Sequence, residues 1–149
     1  MSESIQVLFG TETGNAEYCA ERLADAITGA GFKAVSVDMD DFSPASIVNE
    51  KLIFIVTSTH GNGDAPPNAA EVLDFIRDED IDLSHLKYAV CGLGDRSFPY
   101  FAQCGKDFDA ALKTRGAQAV VERVDCDDNY EPEFQTFQEA VVTYLLRSS

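Results

Sequence analysis

Residues 52–56, Leu-Ile-Phe-Ile-Val, form an unbroken apolar run with no polar residue at alternate positions. A half-exposed strand shows that alternation, so a continuous run marks a strand covered on both faces, as in a parallel sheet between helices. Residues 88–93 read as a second buried strand, and residues 5–9 as a third run of strand length. Between these runs, apolar or small residues recur every three or four positions. They are Ala16, Ala20, Leu23 and Ile27; Ala69, Val72, Leu73 and Ile76; Phe101, Gly105, Phe108 and Leu112; and Phe134, Phe137, Val141 and Leu145. Each set marks one face of a helix, and glycines at 29, 31 and 116 supply stops. Residues 33–37 alternate loosely and predict a strand near an edge. Ser43 is placed to cap a short helix through Val48, with Pro44 in its first turn. Residues 119–124 predict one uninterrupted last strand, and residues 125–132 an acidic loop. Five rounds of strand and helix predict an α/β fold: one doubly wound, three-layer domain over residues 1–149, with a parallel sheet and right-handed crossovers.

The chain carries a formal net charge of −15. Nucleic acid and anionic membranes would be repelled, which leaves solubility or steering toward a basic protein surface. No apolar run approaches the roughly 20 residues of a membrane span, and the N-terminus has no signal-peptide character. Cys19, Cys91, Cys104 and Cys126 are scattered, with no C-x-x-C, which predicts reduced thiols in a cytoplasmic protein. Two histidines, neither with a cysteine at ligand spacing, give no basis for a metal site.

In a parallel α/β sheet, ligands bind beyond the carboxyl ends of the strands, where the strand order reverses. Three loops, at residues 10–15, 57–64 and 92–100, each follow a predicted strand and therefore converge on that edge. The first, Gly10-Thr11-Glu12-Thr13-Gly14-Asn15, leads into a helix whose start offers amide donors and a partial positive charge. Thr11 and Thr13 add hydroxyls, Asn15 adds an amide, and Gly14 lets the backbone come close. No Lys or Arg lies between residues 1 and 21, so a phosphate would be held by neutral donors. The P-loop pattern and the G-x-G-x-x-G fingerprint are both missing.

Three stretches resemble the FMN-binding loops of the flavodoxin family: Thr11-Glu12-Thr13-Gly14-Asn15-Ala16-Glu17, Ser58-Thr59-His60-Gly61-Asn62-Gly63-Asp64 and Gly92-Leu93-Gly94-Asp95-Arg96-Ser97-Phe98. Their details are similar to short-chain, MioC-type flavodoxins and to the FMN domains of sulfite reductase flavoprotein and cytochrome P450 reductase. Phe101-x-x-Cys104-Gly105-Lys106-Asp107-Phe108-Asp109 and Arg123-Val124-Asp125 add to the sulfite reductase likeness. The resemblance covers nearly the whole chain. It implies a five-stranded sheet in the order 2-1-3-4-5, bound FMN, and single-electron shuttling between proteins.

By this resemblance Thr11, Glu12, Thr13, Gly14, Asn15 and Ala16 would wrap the FMN phosphate. Ser58, Thr59, His60, Gly61, Asn62 and Gly63 would line one side of the flavin ring. Leu93, Gly94, Asp95, Ser97 and Phe98 would line the other, with Phe101 and Ala102 behind. Phe98 would stack on the ring, and the Gly61 peptide would turn its carbonyl toward N5, a movement that the missing Cβ permits. Asp127, with Asp64, Asp95, Asp125 and Asp128, would set negative charge beside the flavin and lower its second-step potential. Many relatives have Trp or Tyr at the place of His60 and Tyr at that of Phe98; Phe98 keeps the stacking surface. Asn62 stands where the diflavin branch often has an acidic residue. His85 reads as a surface residue, and Cys104 as a helix residue under the flavin edge rather than a nucleophile.

The implied partners are a basic-surfaced, NAD(P)H-dependent flavodoxin or ferredoxin reductase and acceptor redox proteins, with the chain a monomeric carrier rather than an enzyme. An FMN-dependent NAD(P)H:quinone reductase is the alternative of another class, though Arg96 is the sole basic residue in the loops to meet a nicotinamide phosphate. A signalling receiver domain fails, because the acidic pair, the phosphorylatable Asp and the Lys that it needs are missing. An excised FMN domain of a diflavin reductase is the remaining alternative. Met1 and a last helix ending near Ser149 favour an independent protein.

Overall fold

The computed structural model describes residues 4–10, 14–58, 66–94, 102–127 and 129–148. Among the described residues, six strands and four α-helices follow one another: β1 (Ile5–Gly10), α1 (Asn15–Gly29), β2 (Ala34–Asp38), β3 (Leu52–Ser58), α2 (Pro67–Asp78), β4 (Lys87–Leu93), α3 (Gln103–Thr114), β5 (Gln118–Ala119), β6 (Val124–Cys126) and α4 (Glu131–Ser148). All described strand pairs are parallel, in the order β2-β1-β3-β4-β5, with β6 also on β4. The doubly wound order 2-1-3-4-5 is therefore present, and β2 is the expected edge strand.

The apolar runs are buried for the reason their composition implies. Ile53 and Ile55 face one cluster with Leu8, Tyr88, Val90, Val72, Ile76, Phe108 and Leu112, under α2 and α3. Phe54 and Val56 face the other with Val7, Phe9, Leu23, Ile27, Phe134, Phe137 and Val141, under α1 and α4. Alternate residues of one strand thus serve two cores, each buried side chain contributing about 1.5–3 kcal/mol. α1 ends at a turn in which Gly31 has φ 102°, and α3 at one in which Gly116 has φ 94°. Both are left-handed positions that favour glycine.

Three sequence expectations are corrected. Residues 119–124 do not form one strand. β5 pairs with Lys87 and Tyr88, and β6 with Cys91, Gly92 and Leu93, so four residues (120–123) stand opposite two of β4. This surplus bulges the chain between the two pieces. Asp125, expected in a loop, lies in β6 opposite Gly92. The segment after Ser43 is a 3-10 helix (Pro44–Asn49), and the Ser43 side chain makes no capping bond. Its closure comes partly from His85, which is on the surface as expected and whose Nε2 lies 2.8 Å from the Val48 carbonyl oxygen.

Candidate FMN site at the carboxyl edge of the sheet

The chain runs from β1 to β2 on one side and returns to β3 on the other, so the order reverses between β1 and β3. Strand ends are level there: Gly10 stands opposite Thr57, Ser58 opposite Leu93, and Leu93 opposite Cys126. The segments that leave β1, β3, β4 and β6 therefore start from one edge.

Of the residues assigned to FMN, the described ones fall on this edge. Gly14, Asn15 and Ala16 start α1, Ser58 ends β3, Leu93 and Gly94 end β4, Ala102 precedes α3, and Asp127 follows β6. Thr11, Glu12, Thr13, Thr59, His60, Gly61, Asn62, Gly63, Asp95, Ser97, Phe98 and Phe101 lie outside the described residues, as do Asp64 and Asp128.

The cap of α1 is a glycine rather than a threonine. Gly14 has φ 92° and ψ −11°, with no side-chain capping bond. Among the described residues, the first helical bond runs from the Tyr18 amide to the Gly14 carbonyl at 3.0 Å. The first turn of an α-helix offers amides without an intrahelical acceptor, neutral donors with the helix dipole behind them. That donor set suits a phosphate group, and it matches the absence of Lys and Arg from this part of the sequence. The nearest guanidinium on α1, Arg22, is engaged elsewhere. Its Nη1 is 2.7 Å from Glu131 Oε1, and its plane lies over the rings of Tyr18 and Phe134.

Small residues bring the walls together. A Cβ on Gly10 would stand 2.6 Å from Ala69 Cβ, and a Cβ on Gly105 would stand 2.9 Å from Gly92 Cα. The second contact is with backbone, which cannot swing aside. Gly105→Ala is therefore expected to push α3 off β4 and cost about 1–3 kcal/mol. Denaturant unfolding of the variant checks this, and stability equal to wild type would contradict it.

Sequence reasoning missed two buried polar features between the sheet and α3. Thr57, fully buried, places its hydroxyl 3.4 Å from the Gly10 carbonyl oxygen and 3.3 Å from the Cys104 sulfur. It ties β1, β3 and α3 together; its only signal was a polar residue closing an apolar run. The second is Asp109, 6% exposed, which accepts from the Tyr88 hydroxyl at 2.5 Å and from Arg123 Nη1 at 2.6 Å. Burial and then the bond to Asp109 push the Tyr88 hydroxyl far above its ordinary range. Cys104 is buried, and desolvation pushes its thiol up to about 12, so it stays protonated and inert at neutral pH, as expected of a non-nucleophile.

Comparison with known proteins decides the family. The flavodoxin family model matches residues 7–139. The chain belongs to the flavodoxin family. Sulfite reductase [NADPH] flavoprotein alpha-component of Aliivibrio fischeri is 41% identical over 128 residues, covering 85% of this chain and 21% of that protein. The Vibrio cholerae protein of the same name is 37% identical over 145 residues, 97% of this chain and 24% of its own length. The chain thus spans about a fifth to a quarter of these relatives. Among solved structures, a short-chain flavodoxin associated with a non-canonical PDU bacterial microcompartment has TM-score 0.81 and 25% identity, over 96% of this chain and 98% of its own. A Streptococcus pneumoniae TIGR4 flavodoxin has TM-score 0.81 at 22% identity, over 95% and 99%. This flavodoxin-family chain binds FMN and transfers electrons. No helix among the described residues is long and apolar enough to cross a membrane.

Proposed function

We propose that the chain is a one-electron carrier that holds FMN across the β1/β3 switch point, taking electrons from an NAD(P)H-dependent reductase and passing them to an acceptor redox protein. The observation that carries this reading is the level meeting of the β1, β3, β4 and β6 ends beside an α1 start capped by glycine. Bound FMN would supply one-electron chemistry that no side chain here offers. The chain's own part is to bind and orient it. The first turn of α1, with Thr11, Glu12 and Thr13, would take the phosphate. Residues 58–63 would form one wall, and Leu93, Gly94, Asp95, Ser97 and Phe98 the other, with Phe101 and Ala102 as backing and Asp127 at the rim. The same site fits the FMN part of a longer flavoprotein, a reading favoured by the 41% identity to a protein of which the matched region is 21%.

Replacing Thr13 and Asn15 together by Ala is expected to weaken FMN binding by about 1–3 kcal/mol, through lost bonds to a charged group, while riboflavin affinity stays near wild type. Fluorescence titration with both ligands checks it; an equal fall for both would contradict the phosphate assignment. The charge of −15 is proposed to steer the chain toward basic-surfaced partners. Electron transfer from such a reductase should then slow as salt rises, and a salt-independent rate in stopped-flow would contradict steering.

A further inference from the structure

Among the described residues, a partly buried ion-pair network joins α3 to β6 near the carboxyl edge. Arg123 lies in the bulge between β5 and β6, with its side chain 31% exposed. Its Nη1 donates to Asp109 of α3 at 2.6 Å, and its Nε donates to Asp125 of β6 at 3.0 Å. Lys113 Nζ stands 3.6 Å from the same Asp109 oxygen, Oδ2. Two cations thus balance two carboxylates.

The elements it joins are those that flank residues 95–101. On one side, Asp125 stands opposite Gly92, and the Cys126 carbonyl accepts from the Gly94 amide at 2.9 Å. On the other side, α3 begins at Gln103, directly after Ala102, whose φ of 53° is the sole positive value at a described non-glycine residue. A Cβ on Gly92 would meet Ala102 Cβ at 3.3 Å, so the two flanks are also in direct contact. A guanidinium can bridge two carboxylates at once, which an ammonium cannot do in the same fixed geometry.

We propose that Arg123 is a positioning residue of the FMN site, pinning β6 to α3 and cancelling the charge of Asp125 beneath the edge where the flavin sits. This rests on the proposed function. In a chain of net charge −15, an uncancelled carboxylate opposite Gly92 would oppose the negative charge that the flavin gains on reduction. The guanidinium removes that opposition, and the pair sets the flavin potential by its balance rather than by either charge alone.

The test is a charge cycle in the FMN-loaded protein: wild type, Arg123→Met, Asp125→Asn and the double variant, read by spectroelectrochemical titration. Arg123→Met should lower the potential of the second one-electron step, by an amount equal to a tenfold change in relative binding of the two redox states, about 59 mV. Asp125→Asn, which keeps the Arg123–Asp109 bond, should raise it by a similar amount, and the double variant should return near wild type. A purely structural role would lower the melting temperature without opposite-signed shifts. Shifts of one sign, or none, would overturn the proposal. If Arg123→Met fails to fold, an unchanged potential in Asp125→Asn does so by itself. Wild type that takes up no FMN would instead overturn the proposed function, and this inference with it.

Discussion

Raising the pH from about 8 to about 11 is expected to remove about 5 kcal/mol of folding stability, because Cys19 and Cys104 are buried as thiols. Desolvation pushes each from an ordinary 9.0 up to about 12, with Arg22 offsetting part of the effect at Cys19 and the Thr57 hydroxyl part at Cys104. The folded values lie above the unfolded ones. The stability tied to these protons is therefore complete below about pH 9 and is lost as pH rises toward about 12. Near pH 11 the unfolded chain has released both protons while the folded chain keeps them, a difference of about 2.7 kcal/mol apiece. Cys91, packed 3.5 Å from the sulfur of Cys126, is raised in the same direction by that contact and by burial, and it adds to the effect. A domain with the usual 5–15 kcal/mol would become marginal. Urea unfolding across this range checks the result. A flat profile would contradict the burial of the thiols, and Cys104→Ala should remove about 2.7 kcal/mol of the loss.

Asp109→Ala is expected to cost about 3 kcal/mol. The substitution leaves the Tyr88 hydroxyl, in a residue only 1% exposed, without its carboxylate and leaves Arg123 bonded only through β6. Breaking a buried ion pair from one side costs about 3–5 kcal/mol, and the lower end applies because water reaches the Arg123 side chain. Tyr88→Phe removes one bond and should cost only about 1 kcal/mol. Thermal unfolding distinguishes them: about 10 °C lost for Asp109→Ala against about 3 °C for Tyr88→Phe. Equal losses would mean that the Tyr88 bond, not the charge, carries the site.

The parallel sheet and its helices were legible because burial on both faces leaves a local mark, seen in residues 52–56, and because Leu23, Ile27, Phe108 and Leu112 keep helical spacing. The position of β2 at the edge followed from its polar alternation. The break between β5 and β6 was not legible. Residues 119–124 carry a strand-like composition, and the two surplus residues exist only relative to β4, across the sheet. Asp125 read as loop because an acidic tract follows it, whereas Arg123 two residues earlier cancels its charge and lets it sit in β6. Asp109 looked like one more solvent carboxylate on α3, since its partners Tyr88 and Arg123 are 21 and 14 residues away. The candidate site was legible as a set of loops after strands. Which edge they share follows from topology, and Gly14, Ser58, Leu93, Gly94, Ala102 and Asp127 stand on it.

The central claim is one-electron transfer on FMN held at that edge, and anaerobic photoreduction of the FMN-loaded protein under visible absorption tests it most directly. The account predicts flavin bands that give way first to a broad long-wavelength absorbance, the mark of a protein-stabilised, neutral one-electron state, and only then to the bleached form. Direct bleaching with no such band would contradict the one-electron carrier and favour a two-electron quinone reductase on the same fold.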